Sequence, residues 1–246
     1  MTPLIALVTV SIRQALPTRR TALLLLAELG PAGVYLLATS NRTAVAAFDG
    51  LVEVGASTYF GLVLPVVTIV IAAGVLGNER RDTTLSFIAL RPISRAGIAS
   101  AKLLAGFLAA SAVNLVGALA LGTTHVIRFG GADIVPGLVA GGLVATLAYT
   151  SVVVPLGFLT DRAVIIGLAY LFIAENGVIF VLSGLSLLSP WRLGATVFAD
   201  IVDGSRVILT DAIGSMSSSQ ALMALVVYGA FGVATTAYLL RRRDLA

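Results

Sequence analysis

From Val135 to Leu159 the chain carries no charged residue, a run longer than the ~20 apolar residues an α-helix needs to cross a bilayer. In lipid every backbone N–H and C=O must find its partner within the protein, which a helix achieves internally and an exposed loop or open sheet edge does not. Comparable runs recur at about 21–39, 59–76, 98–122, 163–182 and 220–240. The pattern therefore predicts an all-α integral membrane protein, one transmembrane domain over residues 1–246 with six spans. Composition agrees. Hydrophobic residues make up 58% of the chain and charged residues 11%, against about 25% charged in a soluble domain. Little chain remains for an extramembrane domain. The absence of cysteine excludes disulfides and thiolate metal sites. A lone histidine, His125, cannot supply the several ligands a zinc site needs. It falls in a presumed outer loop and is read as solvated.

Residues 2–16 form a short amphipathic stretch with Leu4, Val8, Ile12 and Leu16 on one stripe. It is too short to span and is expected to lie in the interface, closed by Pro17. Arg13, Arg19 and Arg20 follow this apolar stretch instead of preceding it, unlike a signal peptide. Glu28 and Gly30-Pro31 interrupt the first span, and residues 40–58, with Arg42, Asp49 and Glu53, are expected to be a polar-flanked loop. Residues 183–219 read as an extracytoplasmic loop. Within it Leu193 to Val202 is too short to span and is expected to be a re-entrant or interfacial helix before span six, with Trp191 at headgroup level. Gly137, Gly141 and Gly142 give the fourth span a small-residue packing face.

Orientation follows from the basic residues. Of the 16 Lys and Arg, only Arg42, Arg128, Arg192 and Arg206 fall on one side; the other 12 share the side of both termini and the loop after span two. The positive-inside rule places that side in the cytoplasm of a cell-membrane protein. The high pI is thus explained by topology, and no nucleic acid partner is implied. No strong internal repeat is visible, which counts against an inverted-repeat transporter.

The only long charged run, from Gly77 to Arg95, lies in this cytoplasmic loop (77–97) between two spans. Leu85, Ile88 and Ala89 fall at i, i+3 and i+4, one face of a short helix. Glu79 and Asp82 suit its N-terminal end, and Pro92 stops it. Arg80, Arg81, Arg91 and Arg95 could simply snorkel towards anionic headgroups, making membrane lipid a partner. A pure anchor, however, needs neither carboxylates nor a proline-closed helix. The alternative is a docking helix for a soluble partner.

The run Glu79-Arg80-Arg81-Asp82-Thr83-Thr84-Leu85, then Arg91-Pro92-Ile93-Ser94-Arg95 and Lys102, resembles the cytoplasmic signature of ABC-2 type permeases, the membrane subunits of ATP-binding-cassette exporters. The closing Arg-Arg-Asp-Leu at Arg242 to Leu245 is similar too, while Asn78 and Arg80-Arg81-Asp82 stand where a glycine commonly precedes the threonine. The resemblance implies an N-terminal elbow helix and a coupling helix after span two that seats on a separate ATPase subunit. Glu79 would then pair with a basic group of that ATPase. Thr84, Leu85 and Ile88 would supply the packed contact, Arg91, Ser94 and Arg95 would fix the loop to the helix end, and Arg80, Arg81, Asp82 and Pro92 would belong to the same docking interface. It implies a second permease copy or paralogue as well. No cofactor is expected in this chain; ATP and Mg would sit on the partner.

Glu28 and Glu175 are the two carboxylates inside spans, and such groups are functional suspects. They either glue helices together or, with Asn114 and Asn176, line a path for polar cargo. There is no Gly-x4-Gly-Lys-Ser/Thr run to hold ATP, and no catalytic constellation appears, so the chain is not read as an enzyme. Three readings remain: an exporter permease, a secondary transporter using Glu28 and Glu175 as ion sites, and a membrane scaffold or intramembrane enzyme. The signature favours the first.

Overall fold

A computed structural model describes residues 3–81, 94–178 and 187–242. Among these every regular element is helical: α1 (Pro3–Ala15), α2 (Thr18–Glu28), α3 (Gly30–Ala38), α4 (Ala44–Val54), a π-helical stretch π1 (Gly55–Val63), α5 (Leu64–Arg81), α6 (Arg95–Phe129), α7 (Ile134–Leu159), α8 (Ala163–Ala169), a second π-helical stretch π2 (Tyr170–Val178), α9 (Pro190–Ile201), α10 (Ser205–Ile213) and α11 (Ser218–Arg242). Five helical segments are long and apolar enough to cross a membrane: Thr18–Ala38, Ala44–Arg81, Arg95–Phe129, Ile134–Leu159 and Ser218–Arg242. The expected fifth span is represented by Ala163–Glu175, shorter than the others; its expected continuation through residues 179–182 lies outside the described residues.

Helix α7 is the centre, with α5, α6, α9 and α11 packed around it. Its glycines explain how. A Cβ on Gly141 would run into the carbonyl of Gly194 on α9, and a Cβ on Gly194 into the carbonyl of Gly141. The two backbones touch because neither residue has a side chain. Pro155 lies inside α7 and so leaves the Ser151 carbonyl without its helical N–H. That carbonyl faces Gly232 of α11, again where no Cβ would fit. Segments α2–α3 and α11 sit on the rim, with Leu23, Leu37, Val226 and Val227 turned outward as lipid-facing residues are.

Several expectations are corrected or sharpened. Residues 44–58 are not a loop, because α4 and π1 run without a break into α5. Ala47, Leu51, Val52 and Val54 form a buried stripe, which leaves Asp49 and Glu53 exposed on the opposite face. The whole segment Ala44–Arg81 has 38 residues, ~57 Å at 1.5 Å per residue, so it projects beyond a ~30 Å hydrocarbon core. His125 is not in a solvated loop. Helix α6 extends to Phe129, and the ring is buried, bonded to Tyr35 Oη through Nδ1 at 2.7 Å and packed on Phe48 and Phe129. Trp191 is enclosed instead of exposed, since α9 is covered on nearly every face and leaves Trp191 only 7% exposed. The N-terminal helix is present, but its buried stripe is Leu7, Ser11 and Ala15, facing α6.

Candidate functional site

The stems of the charged loop are built first from α5 and α6. Helix α5 ends at Arg81, and the described chain resumes at Ser94, whose Oγ accepts the Gly97 N–H at 3.1 Å and caps α6. Two turns further on, the fully buried Lys102 Nζ donates to Ser11 Oγ of α1 at 2.7 Å and forms an ion pair with Glu79 of α5. One ammonium therefore ties three helices together. Beside it Arg80 Nη1 donates to the carbonyls of Phe158 and Leu159 at 3.2 and 3.0 Å, and its other nitrogen pairs with Asp161. Those carbonyls close α7, where a helix leaves its last acceptors unpaired and favours a cation. Arg81 donates to Asn78 within its own helix.

Glu79, expected to reach for an ATPase, is thus turned inward onto Lys102, and Arg80 onto the end of α7. Ser94 acts as a helix cap and Arg95 opens α6. Asp82, Thr84, Leu85, Ile88, Arg91 and Pro92 lie outside the described residues, and so does the expected coupling helix.

The intramembrane polar groups divide into two sets. Glu28 closes α2 at the break before Gly30-Pro31 and is fully buried. Neither carboxylate oxygen has a hydrogen-bond partner among the described residues. It occupies a notch on α6 that exists because residue 117 is glycine; a Cβ there would overlap the carboxylate. Tyr59 of π1 lies within electrostatic reach of Glu28 and donates to the Asn114 carbonyl at 3.1 Å. Asn114 Nδ2 donates to Thr68 of α5 and Thr146 of α7 at 2.9 and 2.8 Å, joining three spans.

Glu175 has different partners. Its carboxylate accepts from Tyr149 Oη, from Ser189 Oγ at 2.8 Å and from the Trp191 backbone N–H. Ser189 and Trp191 form the start of α9, so Glu175 caps that helix from across the bundle and meets the positive end of its dipole. Arg192 is buried nearby, its guanidinium 5.5 Å from the centre of the Trp191 ring. Glu28, resting on Gly117, and Asn114 thus lie one turn apart along α6, whereas Glu175 sits in another cluster. The Asn176 side chain lies outside the described residues.

A further clamp went unnoticed in the sequence. Asp200, at the end of α9, accepts from Arg206 Nε at 2.8 Å and from the Ser218 N–H at 3.0 Å, so it caps α11. Partial burial works against its charge, but Ser218 and Arg206 outweigh this and hold the carboxyl below the ordinary aspartate range. No local pattern signals it, because the partners are 6 and 18 residues away.

A helical bundle centred on a glycine-rich span, with five segments long and apolar enough to cross a membrane, defines a multi-pass membrane protein. The family model for ABC-2 family transporter proteins matches residues 18–174. That is more than half of the chain and includes both loop stems, so the chain belongs to the ABC-2 transporter family and is a transporter permease. No curated protein matches it.

Proposed function

We propose that the chain is the membrane subunit of an ATP-driven exporter in the cytoplasmic membrane, with both termini inside. It would pair with itself or a paralogue and draw power from separate ATP-binding-cassette subunits docked on residues 82–93. The observation that supports this best is the strapping of the loop stems. Glu79–Lys102–Ser11 binds α5, α6 and α1, and Arg80 binds α5 to the end of α7 and to Asp161. A push delivered between residues 82 and 93 would pass into four helices at once, because packed interiors transmit displacement instead of absorbing it. In this reading Thr84, Leu85 and Ile88 make the contact, whereas Glu79 and Arg80 carry the load.

The test is co-purification of an ATP-binding-cassette subunit with the full chain in nanodiscs. Leu85→Asp with Ile88→Asp is expected to abolish association and the stimulation of ATP hydrolysis. Association at wild-type level would overturn the docking role. A second reading, ion-coupled transport, draws on the unpartnered carboxylate of Glu28. It predicts transport that survives ATP depletion, collapses with the ion gradient and is lost in Glu28→Gln.

A further inference from the structure

The arginine-rich end of the bundle holds a cavity between α2, α5 and α8. Two guanidinium groups face it. Arg20 reaches over from α2 and lies across Gly74 of α5, its Nη1 3.6 Å from where a Cβ would stand. Arg81 enters from the last turn of α5, braced on Asn78. One acid, Asp161, also lines the cavity, and there it is paired with Arg80, while Glu79 on the same helix turn pairs with Lys102. Among the described residues neither Arg20 nor Arg81 has a carboxylate partner, and the two repel each other. Arg20 is half-buried, and a cation held partly out of water beside a second cation is unfavourable unless an anion sits between them.

We propose that Arg20 and Arg81 form a binding site for the phosphate of an anionic phospholipid. Size and lining argue for this occupant. The space open to water-sized groups is about 50 Å³, and ~10–15 Å³ holds one water. A phosphate with its four oxygens fits there and a nucleoside does not. On the membrane side the wall is apolar, formed by Val70, Ala73 and Val164, so the acyl chains would continue along α5 and α8 into the hydrocarbon. Basic pockets between spans at the membrane surface recognise headgroups in this way. The lipid would fill the angle between α2 and the load-bearing end of α5. The site does not depend on an ATPase and is assayed on the chain alone.

The experiment compares the full chain in nanodiscs of phosphatidylcholine with and without phosphatidylglycerol, reading the melting temperature and the lipid retained in native mass spectrometry. Phosphatidylglycerol is expected to raise the melting temperature and to be retained preferentially. Arg20→Gln and Arg81→Gln should each reduce that retention about fivefold, from ~1 kcal/mol per basic group. Arg13→Gln and Arg19→Gln, at exposed positions on the same end, should leave it unchanged. Arg81 is exposed and, among the described residues, bonds only to Asn78 of its own helix, so Arg81→Gln keeps the fold and keeps the test decisive. Retention at wild-type level in Arg81→Gln, or an equal loss in Arg19→Gln, overturns the site. An equal melting shift from inorganic phosphate in phosphatidylcholine discs overturns the lipid assignment.

Discussion

Lys102 shows how the meaning of a residue depends on what surrounds it. In a row of apolar letters it marks the start of a span near the basic side, an ordinary place for a snorkelling lysine. In the fold its ammonium is fully buried and serves two helices besides its own. Removing one member of a buried ion pair leaves the other charge uncompensated, whereas replacing both with apolar groups can be nearly neutral. Lys102→Met is therefore expected to lose roughly 3–5 kcal/mol of stability, and Lys102→Met with Glu79→Leu to recover most of it. Unfolding of the purified chain in mixed micelles measures both. A single variant as stable as the wild type would remove the strap from the mechanism. Glu28 is the opposite case. Its position in an interrupted span is plain from sequence, but that its carboxylate has no hydrogen-bond partner among the described residues and rests on Gly117 could be learned only from the neighbouring helix.

Helix α9 would not hold its place alone. It has 12 residues, near the limit below which an isolated helix is marginal in water, and its N-terminus is buried, where unpaired N–H groups are costly. Glu175, from π2, answers that need. Glu175→Ala would strand the Tyr149 hydroxyl and the Trp191 N–H, at roughly 1–3 kcal/mol for each buried group left unsatisfied. Amide exchange across residues 190–201 should then speed up, while exchange in α6 stays as it was. Unchanged exchange in α9 would show that packing alone holds it. The long helix Ala44–Arg81 teaches a complementary lesson. Asp49 and Glu53 suggested a loop, but they stand four residues apart and so share one exposed face of a continuous helix.

For the assembled bundle, close backbone contact at α7 is the organising fact. Gly194→Val would force a branched side chain against the Gly141 carbonyl and Ala145. Overpacking of this kind costs typically ~1–3 kcal/mol, and here the obstacle is backbone, which cannot change rotamer. Loss of monodisperse folded protein on size exclusion, with Gly229→Val on the open face of α11 unaffected, would bear this out. The class of fold, the membrane setting and the family were legible because hydrocarbon imposes its demand locally, on every stretch of about twenty residues. The loop signature was legible because its residues are consecutive. Partners were not. That Lys102 meets Glu79, that Tyr35 meets His125, or that Glu175 caps α9 depends on contacts between residues 23, 90 and 14 positions apart. Such contacts are set by how helices are rotated and how closely they approach. The charged loop with which the family resemblance began is thus fixed in identity by its own residues, while its grip on the membrane helices comes from Lys102, Ser11, Asp161 and the end of α7, which only folding brings to it.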